Sequence, residues 1–257
     1  MARLDDVVAY LDAELRTAEV PDYDAALNGL QLANAGEVTR VAAAVDFSAD
    51  TVAGAIRERA DLLVVHHGMF WRGQHALVGR AYERLRDAMD AGLAVYSSHI
   101  PLDAHPVLGN NVLLARELGL EGDNTFGRYK GVEIGVSGVA DIATRELADR
   151  LRAFSARFRT TAVATPFADD RRTRRWAIIT GAGASPDTLA EARQRDVDTF
   201  IVGEGAHHTA VYAIEHDLVI LYGGHYATET LGVRAVAECL ADRFDVSSTF
   251  VDVPTGL

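Results

Sequence analysis

Two adjacent histidines, His66 and His67, end an apolar run, Asp61-Leu62-Leu63-Val64-Val65, and lead into Gly68-Met69-Phe70-Trp71. Further on, His99-Ile100-Pro101-Leu102-Asp103 and His225-Tyr226-Ala227-Thr228-Glu229 each place a carboxylate four residues after a histidine. Where His225 to Glu229 opens a helix, that spacing stacks the two side chains on one face, where both can hold one cation. A single histidine after a strand is ordinarily a loop residue bonded to backbone, and a carboxylate at a helix start ordinarily serves the dipole. The convergence is what carries weight here. His66, His67, Asp103, His225 and Glu229 all follow predicted strands, and three imidazoles with two carboxylates exceed the ligand set of one tetrahedral catalytic zinc. They suit two metals bridged by a carboxylate and a water or hydroxide. Consecutive residues on an extended chain point opposite ways, so both histidines reach one centre only through a bend, which Gly68 is expected to supply.

The composition narrows the chemistry. Cys239 is the one cysteine, so an intrachain disulfide and thiolate metal clusters are excluded and any metal must use imidazole and carboxylate. A formal net charge of −12 argues against a surface devoted to nucleic acid. Lys130 is the sole lysine against 24 arginines, a skew that genome composition and a salty cytoplasm explain equally well. No apolar run approaches a bilayer span and the first residues hold no hydrophobic signal core, so a soluble cytoplasmic protein is expected.

The elements that must position these residues alternate. A helix is predicted from Leu4 to about Thr17, a strand over 41–45 ending at Asp46, and a helix capped by Ser48 running to Arg59. After the histidine strand come a helix over 79–90 carrying Tyr82, Leu85 and Met89 inward, a strand over 93–96, and a helix over 108–118 closed by Gly119. The polar turn Glu121-Gly122-Asp123-Asn124 marks a boundary, giving units of 1–122 and 123–257. The second repeats the pattern, with strands over 132–136, 162–164, 176–179 and 199–202, a helix capped by Thr144, and another capped by Ser185 with Pro186 at its first position. Gly181-Ala182-Gly183-Ala184 lacks the spacing of a phosphate loop. Such alternation predicts a layered α/β fold.

Tyr96-Ser97-Ser98-His99-Ile100-Pro101-Leu102-Asp103 parallels Tyr222-Gly223-Gly224-His225-Tyr226-Ala227-Thr228-Glu229: each follows a strand, with His three after Tyr and an acid four after His. The expectation is two similar α/β units related by a pseudo-two-fold duplication, with the metal site in the cleft between them.

These residues resemble the Nif-three-like dinuclear-metal family, homologues of type-two GTP cyclohydrolase, in its short form. The paired-histidine stretch Val65 to Trp71, His99-Ile100-Pro101-Leu102-Asp103 and Gly224 to Glu229 match its three metal motifs, and Asn28-Gly29-Leu30-Gln31 and Gly203-Glu204 also match. The resemblance implies His66, His67, Asp103, His225 and Glu229 as ligands of two divalent ions, zinc, iron, manganese or nickel, in a homohexameric ring. It implies a metal-dependent hydrolase acting on a nucleotide or related small molecule. The alternative is a metal-handling or regulatory protein without catalysis.

His99 mirrors His225 yet has no ligand role in the family, so it is read as orienting Asp103 or contacting substrate, with His99 or Glu204 moving protons. His208 and Glu204 follow a strand that mirrors the paired-histidine strand. His75, His105 and His216 read as surface or loop residues. Phe70 and Trp71 are large enough to stack a base, although such residues beside a core strand ordinarily pack. Arg171, Arg172, Arg174 and Arg175 read as a solvated loop.

Overall fold

The computed structural model describes residues 1–70 and 76–257. Trp71 and His75 therefore lie outside the described residues. The chain opens with β1 (Ala2–Arg3), α1 (Leu4–Glu14), β2 (Gly29–Leu32), β3 (Glu37–Val38), β4 (Arg40–Asp46), α2 (Ala49–Arg57), β5 (Leu62–His67), α3 (Arg80–Asp90) and β6 (Ala94–Ser97). It continues through α4 (Ile100–Asp103), α5 (Asn110–Glu117), β7 (Asn124–Tyr129), β8 (Val132–Ala143), α6 (Thr144–Ala156), β9 (Val163–Ala164), β10 (Arg172–Ile179) and α7 (Pro186–Gln194). Then come β11 (Thr199–Val202), α8 (His207–Glu215), β12 (Val219–Tyr222), α9 (His225–Thr228), α10 (Thr230–Phe244) and β13 (Ser247–Phe250).

The fold is mixed α/β with two compact units. The first comprises Met1–Leu102 and Gly232–Val253, the second Asp103–Leu231 and Pro254–Leu257. The boundary expected after Gly122 falls inside the second unit. Its polar turn only separates α5 from β7, whereas α5 packs on β8 and β10 of the same unit. The chain also returns to the first unit near its end, through β13 beside β4.

In the first unit the sheet order is β13-β4-β5-β6-β2, parallel except for β2. Parallel neighbours require crossovers, supplied by α2 and α3, and strands covered on both faces read as unbroken apolar runs. Val41 to Val45 and Leu62 to Val65 are such runs, all fully buried. One face packs Ala42, Ala44, Leu63, Val65 and Val95 against Val52, Ala55 and Val251. Helix α3 departs from expectation. Tyr82 and Met89 are 52% and 61% exposed, because α3 seats itself by the small Ala88 and by Arg84, whose guanidinium lies 4.7 Å from the Phe47 ring centre.

The second unit has the order β7-β8-β10-β11-β12-β9, with β10, β11 and β12 parallel and β9 an antiparallel edge. Each unit thus contains three successive parallel strands joined by helices, flanked by an antiparallel edge strand next to the third. The first crossover helix opens identically in both. Ser48 caps α2 by accepting from Thr51 N while Ser48 N donates to Thr51, and Ser185 with Thr188 repeats this at α7. Thr144 does not cap. It is the first residue of α6, and its hydroxyl bonds Thr173 inside the core. Arg171 and Arg172, expected in a loop, bind Asp217 and Asp141, Arg172 from within β10.

Removing a capping hydroxyl leaves helix-start N–H groups without their acceptor, at about 1 kcal/mol. Ser185→Ala is expected to lower unfolding stability by about that amount and Ser185→Gly by a few tenths, measured by urea denaturation.

Candidate metal centre

In the first unit, His66 and His67 are the last two residues of β5, and His99 follows β6, the strand paired with it. The three rings gather: centroids are 4.9 Å apart for His66 and His67, 4.8 Å for His66 and His99, and 5.6 Å for His67 and His99. One ring nitrogen from each lies within 4.8 Å of the others, close enough to serve a metal ion. His66 is fully buried. Gly68 supplies no left-handed bend, since it is absent from the glycines with positive φ. It is required for space instead: a Cβ there would overlap the Gln31 amide and come 2.6 Å from Ser97 Cβ.

Each imidazole is held from behind through Nδ1. His66 Nδ1 lies 2.9 Å from Ser98 O and His67 Nδ1 2.8 Å from Asp46 Oδ1, at the end of neighbouring β4. His99 Nδ1 is 2.9 Å from Asp22 Oδ1. A carbonyl or carboxylate can only accept, so Nδ1 carries the hydrogen and Nε2 the lone pair. Backing of this kind is how metal-binding histidines are oriented. The segment after β5 is itself anchored, since Met69 N donates to Gln31 Oε1 and Leu27 N to Phe70 O. His99 N donates to Asn28 Oδ1. The Asn28-Gly29-Leu30-Gln31 motif therefore holds both histidine segments.

In the second unit, Asp103, His225 and Glu229 assemble around Thr180 and Gly181, just past β10. Asn110 Nδ2 donates to Asp103 Oδ1 at 2.9 Å, and the Thr180 hydroxyl approaches the same oxygen at 3.5 Å. Asn111 donates to the Asp103 and Ile134 carbonyls and accepts from Thr180 N, tying three segments together. His225 opens α9 at Gly224, whose φ of +92° suits glycine. The four-residue spacing closes as expected, with His225 Nε2 3.1 Å from Glu229 Oε2. His225 Nδ1 is 2.9 Å from Glu204 Oε1, so Glu204 stands behind this imidazole as Asp46 stands behind His67. Gly181 makes the space. Its φ is +59°, and a Cβ there would overlap Glu229 Oε1 and come 3.3 Å from His225 Nε2.

Burial alone would depress the His225 pKa, but hydrogen bonds and charge from Glu229 and then Glu204 raise it to about 9. Glu229 itself is only 2% exposed. Cavities of about 360 Å³ beside Glu204 and about 230 Å³ beside Asp103 leave room for a small molecule within the second unit. His208 lies exposed on the first turn of α8, and His216 ends α8 against Tyr212. His105 accepts from Val107 N and Leu108 N, a loop role as expected. Sequence reasoning did not single out Asp22, Asn110 or Asn111. Asp46 was visible only as the polar end of a strand, the same signal that marks His66.

The family model described as Duf34/NIF3 (NGG1p interacting factor 3) matches residues 2–255. The chain belongs to the Duf34/NIF3 family. A Halobacterium salinarum member named "GTP cyclohydrolase 1 type 2 homolog" is 40% identical, covering 98% of each chain. A Deinococcus radiodurans protein of the same name is 37% identical over 98% of this chain and 94% of its own. Among solved structures, "protein ybgI, unknown function" superimposes with a TM-score of 0.86 at 31% identity, covering 99% of this chain and all of that one. A Thermus thermophilus protein, TTHA1606, gives 0.82 at 35% identity, with 99% and 100% covered. This Duf34/NIF3 chain carries histidine and glutamate groups that could bind metal. Their donors are nitrogen and oxygen throughout, which fits borderline divalent cations.

The metal-free protein holds a proton on His225 at neutral pH that a cation must displace, so loading at pH 7 is expected to release it. Calorimetry in buffers of differing ionisation enthalpy measures this, and His225→Gln should remove that part of the buffer dependence. Because the folded pKa is raised, this group's stabilising contribution is complete below about 6.5 and lost as pH rises through about 9. Gly181→Ala should cut metal retention at least tenfold without unfolding the second unit, read by elemental analysis and circular dichroism.

Proposed function

We propose that this chain is a dinuclear metal-dependent hydrolase acting on a nucleotide or related small molecule, with His66, His67, Asp103, His225 and Glu229 as one ligand set for two divalent ions. The observation that carries this reading is the backing of His66, His67 and His225 through Nδ1, by Ser98 O, Asp46 and Glu204, which leaves three Nε2 atoms oriented for one kind of task. Two bound cations would supply an activated water at neutral pH and polarise the atom it attacks. The residues do the rest. Buried Glu229 occupies the space that Gly181 leaves beside it, and Asn110 and Thr180 hold Asp103. His99, beside the paired histidines, is the group to move protons, and Glu204 orients His225. The nucleotide class is supported by the names of the relatives. A homohexameric ring belongs to the same reading, to be checked by sedimentation.

Elemental analysis of natively purified protein is expected to give two ions per chain. Glu229→Ala should lose half or more, and a screen of nucleotide substrates should find turnover that falls with metal content. Two ions without turnover in the screen would favour metal handling over catalysis. No bound metal in the native protein would overturn both.

A further inference from the structure

The loop between α1 and β2 grips His99 from several sides. The Asp22 side chain is 5% exposed, and besides His99 Nδ1 it accepts from Tyr23 N, Asn28 Nδ2 and Ile100 N. Asn28 in turn accepts from His99 N, so backbone and ring are held together. Tyr23 stacks on the imidazole, with centroids 5.6 Å apart and planes 27° from parallel. No metal-ligand duty has been given to Asp22, Asn28 or Tyr23, yet the arrangement spends a buried carboxylate and a stacked ring on one histidine. Burial alone would raise the Asp22 pKa, but the hydrogen bond and charge of His99, with Asn28 and Tyr23, lower it below its ordinary value. Asp22 is therefore ionised at neutral pH and can only accept.

We propose that Asp22 is the positioning residue for His99: it keeps the hydrogen on Nδ1 and turns the Nε2 lone pair toward His66 and His67, so that His99 takes the proton of the attacking water. The catalytic half rests on the hydrolase reading; the tautomer does not. In the step, the water oxygen bonds to the electrophilic atom of the substrate while one water proton passes to His99 Nε2. The bond to the leaving atom then breaks, that atom receives the proton from Nε2, and Nδ1–H stays with Asp22 throughout. The overall change is addition of one water across the cleaved bond, with no oxidant or reductant.

The test uses the full chain. Long-range proton–nitrogen spectra of histidine-labelled, metal-free protein, with His99 assigned by its loss in His99→Gln, should show a single Nδ1–H form. In Asp22→Asn an amide NH2 must meet a donor whichever way it lies, so a substantial Nε2–H population should appear. Zinc-loaded Asp22→Asn and His99→Gln should keep the metal content of the parent. In both, kcat on the substrate found in the screen should fall about a hundredfold or more with KM within about twofold. A parent His99 in the Nε2–H form, or an unchanged Nδ1–H form in Asp22→Asn, would overturn the assignment of Asp22. Loss of metal alongside turnover would show a structural role and also overturn it. Absence of turnover even in the parent would defeat the hydrolase reading and the proton step, while the spectra would still decide the tautomer.

Discussion

The hydrogen bond from an imidazole Nδ1–H to an oxygen behind it is the constraint on which this structure depends. His66, His67, His99 and His225 all make it, with Ser98 O, Asp46, Asp22 and Glu204 as acceptors. Without that bond a histidine at a strand end would sample both tautomers and several rotamers, and its Nε2 would face any direction. With it, the lone pair has one direction. Three of the four acceptors are carboxylates, and at His225 the charge of Glu204 adds to that of Glu229 in raising the imidazole pKa.

Parallel strand order explains how the acceptors come to be there. Asp46 is the residue opposite His67 in the register of β4 and β5, so the partner of the second histidine is set by strand pairing alone. Ser98 and His99 directly follow β6, the next strand across. In the second unit, Glu204 follows β11 and His225 follows β12, again adjacent strands. The ends of neighbouring parallel strands are where loops leave the packed layers and side chains converge. The sheets are thus the rulers, and their apolar runs exist to keep strand ends in register.

Much of this was legible in the chain itself. The apolar runs over 41–45, 62–65 and 199–202 stood out because strands buried on both faces leave no polar alternation, and Ser48 and Ser185 announced their helices through side chains that only a cap uses. The residues past those strands were legible for the same reason: a histidine or acid at the end of an apolar run has nowhere to hide. What could not be seen were partners distant in sequence. Asp22 lies 77 residues from His99 and carries no local pattern. Asn110 and Asn111 look like ordinary helix-start residues until Asp103 and Thr180 are brought to them. Tyr82 and Met89 misled because helical spacing shows a face but not which side the sheet takes, and Ala88 proved enough to seat α3. Gly68 was assigned to a bend because glycine permits one, whereas here it is needed for the room it leaves Gln31 and Ser97.

The proposal that most needs testing is that His66, His67 and His225, with Asp103 and Glu229, are metal ligands. X-ray absorption at the metal edge of natively purified protein tests it most directly. A first shell of nitrogen and oxygen at about 2.0–2.2 Å, imidazole outer-shell scattering, and a metal neighbour at roughly 3.5–4 Å are expected. A shell containing sulfur, or one lacking imidazole, would contradict it.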